Sequence, residues 1–190
     1  MTETHVTDNH VKDRWPPQPR GYFAIGAERI SKSRNLGNLM RSAHGFGASF
    51  TFTVGSRYID DESYADTSKS QLHLPHYNWP SLDDMALPGG CRLVGVELIE
   101  GAHDLPSFRH PLRAAYVLGP EKGSLSPELL AKCDHVVKIP TMFCINVAMA
   151  GAIVMYDRLR TLTRFADRPV GEGGPSADDI RRFADLRRKD

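Results

Sequence analysis

The chain has 190 residues, of which 41% are apolar, and this is enough for one sizeable core without a second domain. The formal net charge of +1 excludes a globally basic surface, so any nucleic-acid site would need a local basic patch. The three cysteines are odd in number and widely spaced, which argues against a disulfide framework or a zinc site and favours a reducing, cytoplasmic compartment.

Two features concern the ends of the chain and membranes. Residues 1–20 are polar, punctuated by proline and without the apolar stretch of a secretory signal, so we predict a mobile arm. The longest apolar run, Ile145 to Tyr156, contains Asn146 and is shorter than the roughly 18–20 residues that cross a bilayer. We therefore predict no membrane partner.

Strand and helix patterns alternate from residue 21 onward. "GYFAIG" has the short apolar pattern of a buried strand, "SRNLGNLMRSAHGFGA" has helical spacing, and "SFTFTV" is typical of a second strand. Together they predict one βαβ unit. The polar stretch from Gly55 to Leu87 predicts loops with short helical turns.

The alternation continues in the second half. "CRLVGVEL", "AAYVLG" and "HVVKIP" predict strands, and "SPELLAKC" predicts a helix with Ser126 as its N-cap. A further helix runs to about Thr161, and "ADDIRRFADLRRKD" predicts a last, basic helix. This order predicts an α/β fold with a mostly parallel sheet and helices on both faces. The predicted divisions are the arm at 1–20, a domain at 21–162, and a linker with the basic helix at 163–190.

Three segments directly follow predicted strands: "SRNLGNLMR", "GPEKGSLS" and "IPTMFCIN". Each is rich in glycine, proline or polar residues. Ligands of open α/β sheets bind beyond the carboxyl ends of the strands. We therefore expect the three segments to form one shared site.

The same segments resemble, in order, the three motifs of the SpoU (TrmH-like) RNA 2′-O-ribose methyltransferases of the SPOUT superfamily. The matching residues are Asn35, Gly37, Arg41, Gly119, Glu121, Gly123, Ile139, Pro140 and Asn146. The resemblance spans roughly residues 21 to 160. It implies an α/β fold with a deep C-terminal trefoil knot, S-adenosylmethionine held in that knot, and an obligate homodimer.

The resemblance also implies roles for single residues. The implied catalytic residues are Asn35, Arg41, Glu121 and Asn146, with Arg41 central to activating the ribose hydroxyl. A guanidinium suits this role as a partner for phosphate and for developing negative charge, because it stays protonated and is therefore a poor general base. The implied cofactor-binding residues are Leu118, Gly119, Ile139, Pro140, Ile145 and Asn146. No metal site is predicted, since the eight histidines show no ligand spacing.

Each feature also has a simpler explanation. Asn35 and Asn146 suit helix N-caps, and Arg41 and Glu121 suit a solvated surface. The last long helix, apolar all round, is either a central core helix or one that meets its twin in a dimer through small residues. These small residues are Ala148, Gly151 and Ala152. In the polar stretch, RNA contacts compete with ordinary loop packing at Arg57, Lys69, His73, His76, Tyr77 and Trp79.

Two functions compete at this point. The first is S-adenosylmethionine-dependent methylation of a ribose 2′-hydroxyl in structured RNA. We favour tRNA over rRNA, because the chain shows no separate N-terminal RNA-binding domain and so resembles the minimal tRNA-modifying members. The alternative is a catalytically inactive knotted RNA-binding or assembly protein, suggested by the short loop "TMF" before Cys144, Ile145 and Asn146.

Overall fold

The computed structural model describes residues 21–56 and 74–187. The predicted arm lies outside the described residues, as do Arg57, Lys69, His73 and the last three residues of the tail. The chain divides into two compact units, of which Pro19–Leu162 carries the sheet. The described part of the other unit contains the helix α4, Ala177–Arg187. Among the described residues, no helix is long and apolar enough to span a membrane.

Seven strands of the described chain form one sheet, in the order β3-β2-β1-β6-β4-β7-β5. Every pairing is parallel, which confirms and sharpens the prediction of a mostly parallel sheet. The strands are β1 Tyr22–Glu28, β2 Phe50–Val54, β3 His76–Trp79, β4 Arg92–Val96, β5 His103–Asp104, β6 Arg113–Leu118 and β7 His135–Lys138. The trefoil knot stays a prediction.

Helices cover both faces of this sheet. The helices α1, Ser33–Gly45, and α3, Val147–Leu162, pack on the face that carries Ile25. The helix α2, Pro127–Lys132, packs through Leu129 on the opposite face. Because side chains alternate along a strand, the central strands contribute to both cores. The prediction of helices on both faces is confirmed.

The edge strand β3 corrects the prediction of loops between Gly55 and Leu87. It pairs in parallel with β2, from Thr51 beside His76 to Val54 beside Trp79. A hydrogen bond of 2.9 Å joins the Thr51 hydroxyl to His76 Nδ1. His76 is therefore part of the sheet rather than of a loop.

Aromatic packing holds this edge strand in place. The ring of Tyr77 lies edge-on to Phe50, with centroids 5.5 Å apart, and that of Trp79 lies 5.2 Å from Phe52. The simpler explanation of the two β3 aromatics, packing against the core, accounts for these contacts. The strand β5 has only two residues, and no local sequence pattern predicts it.

The helix α3 turns two of its three small residues, Ala148 and Gly151, inward. Gly151 is buried, and a Cβ at this position would lie 2.4 Å from Leu39 Cδ1 of α1. Ala148 is also buried, at 6% exposure. For these two residues the prediction of contact with a second copy is therefore wrong, because they allow α1 and α3 to pack closely within one chain. For Ala152, which is half-buried, the contact stays a prediction, as does the dimer itself.

A buried arginine fixes the other end of α3. Arg158 is 1% exposed and donates hydrogen bonds to the carbonyl oxygens of Pro111, Leu112 and Tyr22 and to the Tyr116 hydroxyl. One side chain thereby satisfies the carbonyl of Tyr22, which begins β1, and those of Pro111 and Leu112, which precede β6. The C-terminal half of α3 is thus held near the amino ends of the strands. Its first residues lie near their carboxyl ends, close to the candidate site.

Candidate active site

A cleft of about 410 Å³ lies where the three motif segments meet. The first segment contributes Asn35, the second contributes residues after β6, and the third contributes residues between β7 and α3. Pockets for small ligands commonly measure roughly 300–1,000 Å³. The lining residues are Lys32, Asn35, Val96, Glu97, Leu98, Leu118, Gly119, Pro120, Glu121, Gly123, Ile139, Thr141, Cys144, Ile145, Asn146, Val147 and Ala150.

Glu121 binds the start of α1. Its carboxylate accepts hydrogen bonds from the backbone N–H and hydroxyl of Ser31, at 3.0 and 2.8 Å, and from the backbone N–H of Lys32, at 3.0 Å. It also accepts one from Asn35 Nδ2, at 2.9 Å. Partial burial acts to raise the pKa of Glu121, but these hydrogen bonds outweigh it and lower the pKa to about 2. The carboxylate is therefore ionised at neutral pH and suited to holding α1 rather than to accepting a proton.

Asn35 lies within the first turn of α1 rather than at its cap. The helix begins at Ser33, and Lys32 occupies the cap position in an extended conformation. The Lys32 side chain makes no capping hydrogen bond. The explanation of Asn35 as an N-cap is therefore wrong. Its side chain, in a residue only 7% exposed, instead bridges two partners, because its Oδ1 accepts a hydrogen bond of 3.0 Å from Asn146.

Asn146 caps α3 and contacts Asn35 at the same time. Its Oδ1 accepts hydrogen bonds from the backbone N–H of Ala148, at 2.9 Å, and of Met149, at 3.4 Å. Its Nδ2 donates to Asn35. The explanation of Asn146 as a helix cap is confirmed. A chain of hydrogen bonds from Glu121 through Asn35 to Asn146 thus joins all three motif segments.

Arg41 stands apart from this chain of hydrogen bonds. It is exposed, does not line the cleft, and lies roughly 120° around α1 from Asn35. It forms no hydrogen bond or ion pair with any residue that the structure describes. Within one chain, therefore, three of the four predicted catalytic residues come together and Arg41 does not join them.

Five of the six predicted cofactor residues line the cleft, namely Leu118, Gly119, Ile139, Ile145 and Asn146. Pro140 lies instead in an adjoining groove with Lys138 and Met142. A Cβ on Gly119 would lie 3.0 Å from Glu97 Oε2 and 3.2 Å from the Leu125 nitrogen. The lack of a side chain at Gly119 therefore leaves room for the hydrogen bond between the Leu125 N–H and Glu97 on this wall of the cleft.

Two charged residues of the cleft lie outside the three motifs and were not predicted. Glu97 follows β4, and its carboxylate accepts hydrogen bonds from the backbone N–H of Leu125, at 2.9 Å, and of Leu98, at 3.1 Å. Lys32 precedes α1 and lines the mouth. Glu97 was detectable, because it directly follows an apolar strand pattern, and the rule that ligands bind at carboxyl ends applies equally to β4.

A family model now decides the assignment. The model of the SpoU rRNA Methylase family matches residues 22–156, from the start of β1 into α3. This chain belongs to the SpoU family. The resemblance carried by the three motifs is thereby confirmed.

Two curated relatives are named tRNA (guanosine(18)-2′-O)-methyltransferases. The mouse protein is 27% identical over 72% of this SpoU chain, and the match spans 9% of the mouse protein. The Escherichia coli K12 protein is 24% identical over 73% of this chain, and the match spans 63% of that relative. The chain therefore covers less than two thirds of either protein.

The fold is also shared with a solved structure. The SpoU methyltransferase AviRb from Streptomyces viridochromogenes, in complex with AdoMet, superposes with a TM-score of 0.66 at 24% identity. The match covers 84% of this chain and 62% of that one. At this identity the likeness establishes the common fold.

Proposed function

We propose that this SpoU protein transfers a methyl group from S-adenosylmethionine to a ribose 2′-hydroxyl of structured RNA. The observation that carries the proposal is the cleft in which all three motif segments of a family member meet, joined through Glu121, Asn35 and Asn146. The names of the two curated relatives support 2′-O-methylation. The AviRb complex supports the choice of cofactor.

The cleft fits S-adenosylmethionine in size and chemistry. Val96, Leu118, Ile139 and Ile145 offer apolar walls for an adenine ring, within a volume of about 410 Å³. Glu97 also lines the cleft, and its carboxylate suits the positively charged groups of S-adenosylmethionine. When bound there, S-adenosylmethionine supplies an electrophilic methyl group on a positively charged sulfur.

The residues of the chain then hold and polarise the RNA. Because Arg41 lies outside the cleft of its own chain, we assign the Arg41 of a second copy to the phosphate beside the target ribose and to the negative charge that develops on the 2′-oxygen. Methyl transfer would form a C–O bond at the 2′-oxygen while the S–C bond of the cofactor breaks, and the hydroxyl proton would pass to solvent. Glu121, Asn35 and Asn146 keep the starts of α1 and α3 fixed around the cleft, and transfer depends on this positioning.

We propose tRNA rather than rRNA as the substrate. The mouse and Escherichia coli relatives are both named for a tRNA guanosine. Because the family as a whole is described by rRNA methylation, the choice has to be tested on both RNAs. The cytoplasmic location inferred from cysteine usage stays a prediction.

We also propose that two copies pair through α3. Met149, Ile153 and Tyr156 recur at helical spacing and are 62%, 39% and 55% exposed. In the loop before α3, Met142 and Phe143 are 97% and 75% exposed. Large apolar side chains exposed in this number on one element are typical of protein interfaces. A second copy would also bring another set of exposed α1 residues, including an Arg41, into the assembly.

The test of the function uses methyl-labelled S-adenosylmethionine with separate pools of tRNA and rRNA. The proposal predicts transfer to RNA, with tRNA preferred, together with cofactor binding measured by calorimetry. Preferential transfer to rRNA would refute the substrate choice alone. Cofactor binding with no transfer to either pool would instead support the inactive RNA-binding alternative.

A further inference from the structure

The exposed side of α1 carries a row of polar and basic side chains. Arg34, Asn38 and Arg41 recur at positions i, i+4 and i+7, and all three are exposed. Residues at this spacing lie above one another on one face of a helix. Lys32, also exposed, precedes the row at the mouth of the cleft. We call these four residues the α1 stripe.

The stripe lies in a locally basic segment of a nearly neutral chain. The segment from Arg29 to Arg41 contains four cationic residues and no acidic one. Because the whole chain has a formal net charge of +1, the other residues sum to −3. This segment is therefore a local basic patch of the kind that nucleic-acid binding requires in a chain without a global positive field.

The cations of the stripe have no partner among the described residues. The side chains of Lys32, Arg34 and Arg41 form no hydrogen bond or ion pair with them. Three other exposed arginines do have carboxylate partners: Arg92 with Asp134, Arg160 with Asp157 and Arg181 with Asp178. Cations in the first turn of a helix are also unfavourable for the helix dipole. Helix stability therefore does not explain Lys32 and Arg34.

Two backbone N–H groups just before α1 are already occupied. Those of Ser31 and Lys32 both donate to Glu121. A ligand on the stripe would therefore contact its exposed side chains rather than these two main-chain donors. Exposed arginine, lysine and asparagine side chains are the usual donors to phosphate oxygens in complexes with nucleic acids.

We infer that the α1 stripe binds the phosphate backbone of the RNA substrate and leads the strand to the cleft. The identity of the ligand as RNA rests on the proposed function. From Arg34 to Arg41 the helix rises about 10 Å, which is on the order of three nucleotides of a strand. Lys32 lies at the cleft end, so the stripe connects the site of reaction to the RNA on one side of it.

Binding of RNA at several salt concentrations tests this inference in the full-length chain. Arg34→Gln removes one cation outside the proposed catalytic residues. Arg92→Gln is the matched control, because it removes an exposed cation at the first residue of β4, away from the carboxyl ends of the strands. The slope of log affinity against log salt should fall by about 0.7–0.9 in Arg34→Gln and stay unchanged in Arg92→Gln.

Two further measurements separate binding from folding and chemistry. Calorimetry with S-adenosylmethionine should give the same affinity for both variants and the unchanged chain. In the transfer assay, Arg34→Gln should raise KM for RNA with little change in kcat, as expected for a contact made equally in ground and transition states.

The outcomes distinguish this inference from the proposed function. If Arg34→Gln binds RNA with the affinity and salt slope of the unchanged chain, the inference is overturned, whether or not methyl transfer occurs. If the unchanged chain binds RNA with a slope that Arg34→Gln reduces, yet transfers no methyl group, the inference stands and the proposed function fails.

Discussion

Asn35 and Asn146, 111 positions apart in the chain, share a side-chain hydrogen bond of 3.0 Å. It joins the first turn of α1 to the N-terminus of α3. Glu121 extends the connection to the loop after β6 through its 2.9 Å hydrogen bond with Asn35. The three motif segments are thus held by direct polar contacts as well as by their common position at the carboxyl edge of the sheet.

Substitutions of Asn146 separate its cap role from its site role. Asn146→Asp keeps an oxygen for the N–H of Ala148 but cannot donate to Asn35. We expect near-normal stability in urea but a loss of methyl transfer of at least about tenfold, since roughly 1.4 kcal/mol of lost positioning has this effect. Asn146→Ala loses both contacts and should also be destabilised by about 0.5–2 kcal/mol. Normal turnover in Asn146→Asp would show that the contact with Asn35 is structural only.

Glu121 should make stability depend on acid pH. Its pKa of about 2 in the folded protein lies below the ordinary 4.5. A depressed folded-state pKa contributes stability that is fully present above about pH 4.5 and is lost as the pH falls toward 2. The difference in free energy of unfolding between the unchanged chain and Glu121→Gln should therefore shrink between those pH values.

Denaturant titrations at a series of pH values measure this difference. Glu128→Gln, which removes an exposed carboxylate on α2, is the matched control and should follow the unchanged chain. A constant difference between Glu121→Gln and the unchanged chain across the acid range would rule out the hydrogen-bonded carboxylate as its source.

Arg41→Ala should abolish chemistry without disturbing the fold. The side chain is exposed and has no partner among the described residues, so its removal leaves no buried group unsatisfied. Loss of a charged group at the reacting centre should lower kcat by at least about 100-fold. Circular dichroism and cofactor calorimetry should be unchanged. Turnover within a few-fold of normal would remove Arg41 from the proposed mechanism.

The exposed face of α3 should control the oligomeric state. Tyr156→Asp places a charge at a residue that is 55% exposed in one chain. Sedimentation should show a dimer for the unchanged chain and a monomer for this variant, because a buried unpaired charge is strongly unfavourable. Val170→Asp, at a fully exposed position of the linker, is the control and should remain dimeric. A dimer that survives Tyr156→Asp would place the interface elsewhere.

The parts of the fold that follow from local patterns were predictable. β1 and β2 are short apolar runs, and α1 has regular helical spacing between them. The edge strand β3 is different, because "HYNW" has no strand pattern of its own and forms a strand by pairing with β2. Its stabilising contacts come from residues more than twenty positions away, beyond any local window.

The same limit applies to the site. The three segments are recognisable because each follows a strand, yet the cap of α1 is not where a local pattern puts it. A cap at Asn35 is locally reasonable, but the helix begins at Ser33, and Glu121, 89 positions away from Lys32, accepts hydrogen bonds from the N–H groups of Ser31 and Lys32 just before it. Gly151 shows a similar case, since an apolar pattern all round α3 does not reveal that this residue faces Leu39.

The position of the methyl group on the RNA tests the central claim most directly. RNA labelled by the protein is digested to nucleosides for mass spectrometry, and a second portion is hydrolysed in alkali. The account predicts label in 2′-O-methylated nucleosides and an alkali-resistant phosphodiester beside each, because this hydrolysis needs a free 2′-hydroxyl. Label on a base, in RNA that alkali cleaves completely, would contradict it.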